Sequence, residues 1–222
     1  MPEISIIIVR IALVVAGLGI WFLTQHLITF RPTGTGVIGD GIHSLTWRCN
    51  RFLNDNPKAA DGLLILSSLG IDLLGMFVFY QSIFGASVRP FIGLMILFIL
   101  RQLCQAVSAL PVPEGMIWRS PGVPSLLVTY GVANDLFFSG HTAMAVYGAT
   151  ELGLWGGTTW AIIGVSVALF EIATVLVLRA HFTMDVYAGA VTAALATWVS
   201  FSVGPTVDGW INRLAQSIAP IG

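Results

Sequence analysis

Long apolar runs separated by polar segments make up most of the chain. Crossing the hydrocarbon core of a bilayer takes about 20 mostly apolar residues, and six runs fit that length, at residues 4–30, 62–85, 90–110, 142–159, 160–178 and 184–203. Small residues such as Gly148 and Ala149, without strand-like alternation, favour helices. The pattern predicts an all-α integral membrane protein, with six transmembrane helices in one bundle and a single membrane domain over residues 1–222.

Two longer linkers, residues 31–61 and 111–139, join these runs. In the first linker, apolar residues at helical spacing behind Asp40 predict a short interfacial amphipathic helix capped by that aspartate; they are Ile42, Leu45, Cys49 and Phe52. A solvated loop with a basic patch is the alternative. Four prolines prevent a continuous helix in the second linker. Six spans place both linkers on one side of the membrane, as active-site-side loops beside the turn near residue 180.

Composition and charge agree with a bilayer protein. The chain has 222 residues, of which 56% are hydrophobic and 9% charged, whereas a soluble domain is about a quarter charged. The net charge of −1 gives no reason to expect a nucleic-acid partner. Cys49 and Cys104 lie in unlike surroundings, so no disulfide framework is expected. A homo-oligomer is compatible with this composition and charge.

The segment LRAHFTMDVYAG, residues 178–189, pairs a histidine with a carboxylate. His181 and Asp185 are four residues apart, so a helix would place them on one face, one turn apart. Asp185 could then accept the Nδ1 proton of His181 and leave Nε2 free to attack an electrophile. A His–Asp pair that only stabilises a helix end is the alternative.

A second histidine follows Ser139-Gly140 in NDLFFSGHTAM, residues 134–144. His141 opens a predicted helix, whose free N–H groups favour an anion. A phosphate ester between the two histidines would be attacked by His181, and His141 would protonate the departing oxygen. Two unconnected interfacial histidines are one alternative, and a zinc site is another. Nothing else in the sequence completes a metal shell, so neither a metal nor a cofactor is expected.

Three segments resemble the sphingomyelin synthase-related family, the lipid phosphotransferase branch of the type-2 phosphatidate phosphatase superfamily. NDLFFSGHT resembles the signature G-D-x-x-x-S-G-H-T, with Asn134 in place of Gly. HFTMDV resembles H-Y-T-x-D-V, with Phe182 in place of Tyr. Residues 101–115 are similar to a segment ending L-P-V-P-G. The matching residues outside that last segment are Asp135, Ser139, Gly140, His141, Thr142, His181, Thr183 and Asp185.

The resemblance implies a metal-independent double displacement through a phosphohistidine. His181 would be the nucleophile, Asp185 would orient it, and His141 would act as general acid and then as base. A phosphocholine or phosphoethanolamine group would pass from a phospholipid donor to a lipid hydroxyl acceptor, ceramide or diacylglycerol. Related plant enzymes exchange phosphocholine between diacylglycerol-based lipids, so ceramide and diacylglycerol both remain candidate acceptors. The candidate substrate-binding residues from the motifs are Asp135, Ser139, Gly140 and Thr183.

Charged residues near these motifs are further substrate-binding candidates. Arg101 could bind the head-group phosphate in bidentate fashion, or it could form a structural pair with Asp72 or Glu171 inside the membrane. Arg179 lies two residues before His181, and Glu114 could hold a cationic head group or assist proton transfer. Glu114 could equally be a loop residue without a role.

Two other functions remain as alternatives. A lipid phosphate phosphatase, or a hydrolase like phospholipase C, would use water as the acceptor. The phosphatase signature K-x6-R-P is only half present, because Ser82 precedes Arg89-Pro90 where lysine is expected. A membrane transporter is the non-enzyme alternative. The excess of arginine and lysine on the histidine side predicts a cytoplasmic site, whereas the resemblance implies a lumenal or outer one.

Overall fold

Every regular element in the described part of the chain is a helix. The computed structural model describes residues 3–30, 34–130 and 136–218. Over those ranges the helices are α1 (Ile4–Ile28), α2 (Gly41–Leu45), α3 (Trp47–Asp55), α4 (Pro57–Phe84), α5 (Arg89–Val107), α6 (Gly140–Gly156), α7 (Thr158–Val177) and α8 (Thr183–Ile218). The predicted all-α class is therefore confirmed.

Five of these helices are long and apolar enough to cross a membrane: α1, α4, α5, α7 and α8. They make the chain a multi-pass integral membrane protein. The prediction of six such spans was not met, because the run at 142–159 corresponds to α6, which has 17 residues and is not among the five. Helix α6 packs against α4, α5, α7 and α8, and ten of its residues are buried. Neighbouring helices therefore cover more than half of α6, while Leu154 and Trp155 near its end are 53% and 56% exposed.

Helix α8 continues well beyond the predicted end of the last run at residue 203. It has 36 residues and includes Pro205. Gly204 lets α8 approach α5, because a Cβ there would lie 2.9 Å from Cβ of Arg89. Past the proline, Asp208 accepts a hydrogen bond from the amide of Val88 and forms an ion pair with Arg10. These contacts hold the helix together where the Gly-Pro dipeptide would favour a break.

The predicted interfacial helix is divided into α2 and α3 at Thr46. Asp40 caps α2 as expected, accepting hydrogen bonds from the amides of Ile42 and His43. Asn50 and Leu53 face the protein. Leu45 and Phe52, from the apolar face that the spacing predicts, are 78% and 57% exposed. That face points away from the bundle, as an interfacial helix requires.

A buried ion pair joins α5 and α6 at the end of the bundle opposite the histidines. Arg89 donates to both carboxylate oxygens of Glu151, at 2.8 and 2.7 Å, and its guanidinium lies 4.2 Å from the ring centroid of Phe201. Arg89 is twelve residues before Arg101 on α5, about 18 Å along the helix. The arginine that resembled a phosphatase motif therefore has a structural partner, far from the histidines.

The pairing of Arg89 with Glu151 predicts that the effects of substituting these two residues on the free energy of unfolding are strongly coupled. Glu151→Ala leaves a buried guanidinium unpaired and should lower the free energy of unfolding by roughly 3 kcal/mol, whereas replacing both residues with leucine should cost less than half of that. Thermal unfolding in lipid nanodiscs would measure both effects. A double leucine variant that loses as much stability as Glu151→Ala, or more, would contradict the pairing.

Candidate active site

The turn between α7 and α8 presents His181. Two backbone hydrogen bonds close the end of helix α7. The amide of Arg179 donates to Leu176 O at 3.2 Å, and the amide of Ala180 donates to Val175 O at 2.9 Å. This is a Schellman motif, with Arg179 at φ 53° in the position that glycine usually occupies. The chain reverses sharply there, and the next residue but one is His181.

The carbonyl oxygen of Leu136 determines the tautomer of His181. It lies 2.9 Å from His181 Nδ1, and because a carbonyl can only accept, that nitrogen carries the proton. In the neutral ring Nε2 then has a free lone pair. The expected partner, Asp185, has Oδ2 3.7 Å from Nδ1, which is an ion-pair distance but too long for a hydrogen bond.

Asp185 acts locally as a helix cap. Its Oδ2 accepts a hydrogen bond of 2.8 Å from the amide of Phe182, just before α8 begins at Thr183. This is half of a capping box. Asp185 is fully buried, and its Oδ1 has no hydrogen-bond partner among the described residues.

His141 begins helix α6, as predicted. The hydroxyl of Ser139 accepts a hydrogen bond from the amide of Thr142 and so caps this helix. The ring of His141 lies edge-on to Trp118, with 5.0 Å between centroids. Its Nε2 is buried and has no hydrogen-bond partner within the described ranges. A proton on this atom could therefore be given to a bound substrate.

Both histidines and Arg101 line one cavity of about 50 Å³. Three aromatic side chains, Trp21, Phe98 and Trp118, form part of its wall, and so does Gly140. Residues from α1, α5, α6 and the α7–α8 turn thus meet at one point, although they are far apart in the sequence. The cavity thus brings two imidazole rings and one guanidinium to a single point.

Glycine at position 140 lets the guanidinium of Arg101 lie against the start of α6. A Cβ at this position would lie 2.9 Å from Arg101 Nε and 3.1 Å from its Cζ. Arg101 is buried and donates a 3.1 Å hydrogen bond to Phe138 O. Of its two predicted structural partners, Asp72 accepts hydrogen bonds from the amides of residues 126 and 127, and Glu171 accepts one from Ser67.

Asp40 and His43 support the site from the first linker, and the sequence analysis gave neither a role in it. His43 Nε2 donates to the carbonyl of His181 at 2.9 Å. Asp40 accepts hydrogen bonds from the amide and the hydroxyl of Thr183, at 2.6 and 2.8 Å. Thr183, a predicted substrate-binding residue, is therefore engaged by Asp40. The D-G-I-H stretch at residues 40–43 of the polar first linker was the only sequence signal.

Arg179 and Glu114 line a second cavity of about 270 Å³, which also includes Asp40 and His43. Arg179 donates to the carbonyl oxygen of Glu114 at 2.6 Å and to that of His43 at 3.3 Å. The structure thus places these two predicted residues beside the cavity of the two histidines and not in its wall.

Burial and neighbouring charges set the protonation of the site. Burial, with the positive fields of His181 and Arg101, lowers the pKa of His141 to about 3, so its ring is neutral at pH 7 unless a negative charge lies beside it. Burial tends to raise the pKa of Asp40, but hydrogen bonds from Thr183 and His43 outweigh it and hold that pKa below its ordinary value. Asp40 therefore stays charged at neutral pH.

Asp135, another predicted site residue, lies outside the described residues, as does Asn134. Within the described ranges, no group of three or more histidine, cysteine, aspartate or glutamate side chains is arranged to hold a metal ion.

A protein-family model described as AtPDCT1/2 matches residues 40–201. The match covers more than half of the chain and includes Asp40, both histidines and the linkers around them. The chain belongs to the AtPDCT1/2 family. This is the family of phosphatidylcholine:diacylglycerol cholinephosphotransferases, so the chain belongs among lipid head-group phosphotransferases. No curated protein and no solved structure matches it closely enough to add a relative.

AtPDCT1/2 is distinct from the family that the motifs resembled. The assignment to the sphingomyelin synthase-related family was wrong. The short motifs around His141 and His181 were too general to separate two families of head-group transferases. The match over residues 40–201 makes that separation, and it supports the expected class of transferase without the sphingolipid part.

The contact between Gly140 and Arg101 generates a prediction. Gly140→Ala should displace the guanidinium and lower the rate of head-group transfer by roughly ten- to a hundredfold, since small misplacements of catalytic groups have effects of that size. Gly62→Ala on α4 is the matched control, because a Cβ there meets nothing within 4 Å. Equal rates for the two variants, measured in lipid nanodiscs, would show that the contact is not needed.

Proposed function

We propose that this protein transfers phosphocholine from phosphatidylcholine to diacylglycerol through a covalent intermediate on His181. One observation carries the proposal: His141, His181 and Arg101 line the same cavity, in a chain of a cholinephosphotransferase family. The family indicates the donor and the acceptor, and the geometry supports the route.

In the first half-reaction, Nε2 of His181 attacks the phosphorus of phosphatidylcholine. A nitrogen–phosphorus bond forms, and the bond between phosphorus and the glycerol oxygen breaks. His141 gives its proton to the departing oxygen, so that diacylglycerol leaves as a neutral alcohol. The Nδ1 proton stays on His181, in its hydrogen bond to Leu136 O.

In the second half-reaction, the hydroxyl of another diacylglycerol gives its proton to His141. Its oxygen attacks phosphorus, the nitrogen–phosphorus bond breaks, and His181 returns to its starting form. Both halves use the same groups in reverse roles. Exchange between two diacylglycerol lipids is therefore close to balanced in free energy and needs no external energy source.

The bound phosphodiester provides the charge that His141 requires. Its negative charge opposes the burial and the positive neighbours that lower the pKa of His141 to about 3. Arg101, on the wall of the same cavity, can donate to the phosphate oxygens. Protonation of His141 would thus accompany binding of the substrate, so the proton donor becomes charged when its acceptor is present.

The lining of the cavity favours transfer over hydrolysis. Much of its wall is apolar, including Ile71, Leu127 and Met144. Such a wall gives water few hydrogen-bond partners. A lipid acceptor, in contrast, carries apolar acyl chains beside its hydroxyl, and apolar chains pack favourably against an apolar surface. The aromatic rings of Trp21, Phe98 and Trp118 also offer faces to the quaternary ammonium of choline.

Nanodiscs containing the purified protein would test this function. They would hold phosphatidylcholine and phosphatidylethanolamine with isotope-labelled diacylglycerol and ceramide, with and without EDTA, and mass spectrometry would resolve the products. We expect labelled phosphatidylcholine, equal yields with EDTA, and loss of product in His181→Ala. His26→Ala, at an exposed histidine of α1, is the matched control and should keep full activity.

Other products would identify another function. Labelled sphingomyelin in excess over labelled phosphatidylcholine would contradict diacylglycerol as the acceptor. Free phosphocholine or phosphate without a labelled phospholipid would indicate a hydrolase, and full activity in His181→Ala would exclude that residue as the nucleophile.

Asp185→Asn separates the capping role of this residue from its charge. The asparagine oxygen can still accept from the amide of Phe182, so the melting temperature should stay close to that of the unmodified protein. The missing charge no longer stabilises the positive charge that develops on the His181 ring as Nε2 bonds to phosphorus, and the transfer rate should fall about a hundredfold. A normal rate together with reduced thermal stability would instead leave Asp185 as a cap only.

A further inference from the structure

An apolar groove of about 390 Å³ lies between α1 and α5, on the surface that faces lipid. Trp21 and Phe98 form part of its lining, together with exposed residues such as Ile20, Ile99 and Leu103. Two of its lining residues, Thr24 and Gln102, direct their donors to protein partners: Thr24 donates to Ile20 O and Trp21 O, and Nε2 of Gln102 donates to Gln25. Oε1 of Gln102 and Nε1 of Trp21 are buried without a hydrogen-bond partner among the described residues, and nearly all of the groove's exposed lining is apolar. The groove therefore presents apolar surface to its occupant.

The groove and the cavity of the two histidines share a wall. Trp21 and Phe98 line both spaces, and their rings are stacked with centroids 4.7 Å apart and planes 16° apart. Arg101 lies three residues beyond Phe98, about one turn along α5. An apolar chain in the groove would thus end beside the cation and the histidines that handle the phosphate.

The groove also has the depth of one leaflet. Residues 17–28 of α1 line it, a rise of about 17 Å, and half of a typical hydrocarbon core is about 15 Å. Helix α1 is the least buried of the five spans: 17% of its most apolar window is buried, against 28–44% for the others. Few contacts therefore oppose a displacement of α1 away from α5.

From these observations we infer that the groove between α1 and α5 binds an acyl chain of the lipid substrate, and that lipids enter the catalytic cavity sideways from the bilayer along it. The inference rests on the proposed function for the identity of the head group. The stacked pair of Trp21 and Phe98 is the partition that a lipid passes. The occupant is a diacyl lipid, since an apolar groove offers few polar groups that would bind a soluble phosphate ester.

Photocrosslinking tests the groove without requiring turnover. Nanodiscs would contain phosphatidylcholine with a diazirine in one acyl chain, and crosslinked peptides would be mapped by mass spectrometry. We expect adducts enriched at Ile20, Ile99 and Leu103 relative to Ile162 and Leu169, which are exposed on α7. His181→Ala should give the same pattern, so a failure of the proposed chemistry would not hide the binding. Equal labelling of α1, α5 and α7 would overturn the inference.

Filling the groove tests its role in substrate entry. Ala106 is exposed and lines the groove. Ala106→Trp should lower transfer from long-chain phosphatidylcholine by about tenfold, the effect of losing roughly two buried methylene groups. Transfer from a water-soluble, short-chain phosphatidylcholine should be unchanged.

Ala194→Trp is the matched control, at an exposed alanine of α8 outside the groove. It should leave both rates unchanged. Thermal unfolding would verify that the variants fold, and Leu103→Trp provides a second way to fill the same space. Equal long-chain rates for the folded groove variants and Ala194→Trp would contradict entry along the groove.

Discussion

The hydrogen bond from His181 Nδ1 to the carbonyl of Leu136 connects the two parts of the chain that hold the histidines of the proposed site. It fixes which nitrogen of the ring is protonated, and it joins the linker before α6 to the turn before α8. The amide of Ser139 also donates to the carbonyl of Asp185 across the same junction. A Cβ at Gly189 would lie 2.7 Å from Ser139 O, so this approach also depends on glycine in α8.

Both linkers brace the turn that holds His181. From the first linker, His43 binds the carbonyl of His181, and Asn50 donates to Val177 O at 2.9 Å. From the second, the amide of Ile117 donates to Leu178 O at 2.8 Å. Irregular backbone near a membrane needs internal hydrogen-bond partners. The hydrogen bonds that satisfy this need also hold the turn, and with it His181, in one position, as the proposed role of His181 requires.

Periodicity predicted the helical class, and the motifs singled out two histidines that the structure places at one cavity, because apolar runs and short motifs are local signals. They failed where tertiary contacts decide the outcome. The neighbours of α6 bury ten of its 17 residues, and beyond Pro205 the side chain of Asp208 on α8 contacts Val88 and Arg10. A backbone acceptor such as Leu136 O leaves no mark in a sequence, so the partner of His181 Nδ1 could not be foreseen. The family itself required a match along most of the chain.

The central claim is that phosphocholine passes through His181 in two successive displacements at phosphorus. The most direct measurement uses phosphatidylcholine made with a single configuration of a phosphorothioate group, and determines the configuration in the phosphatidylcholine formed from labelled diacylglycerol. Two in-line displacements each invert phosphorus, so the account predicts overall retention. Overall inversion would mean that diacylglycerol attacks the donor lipid directly, and it would contradict a covalent intermediate on His181.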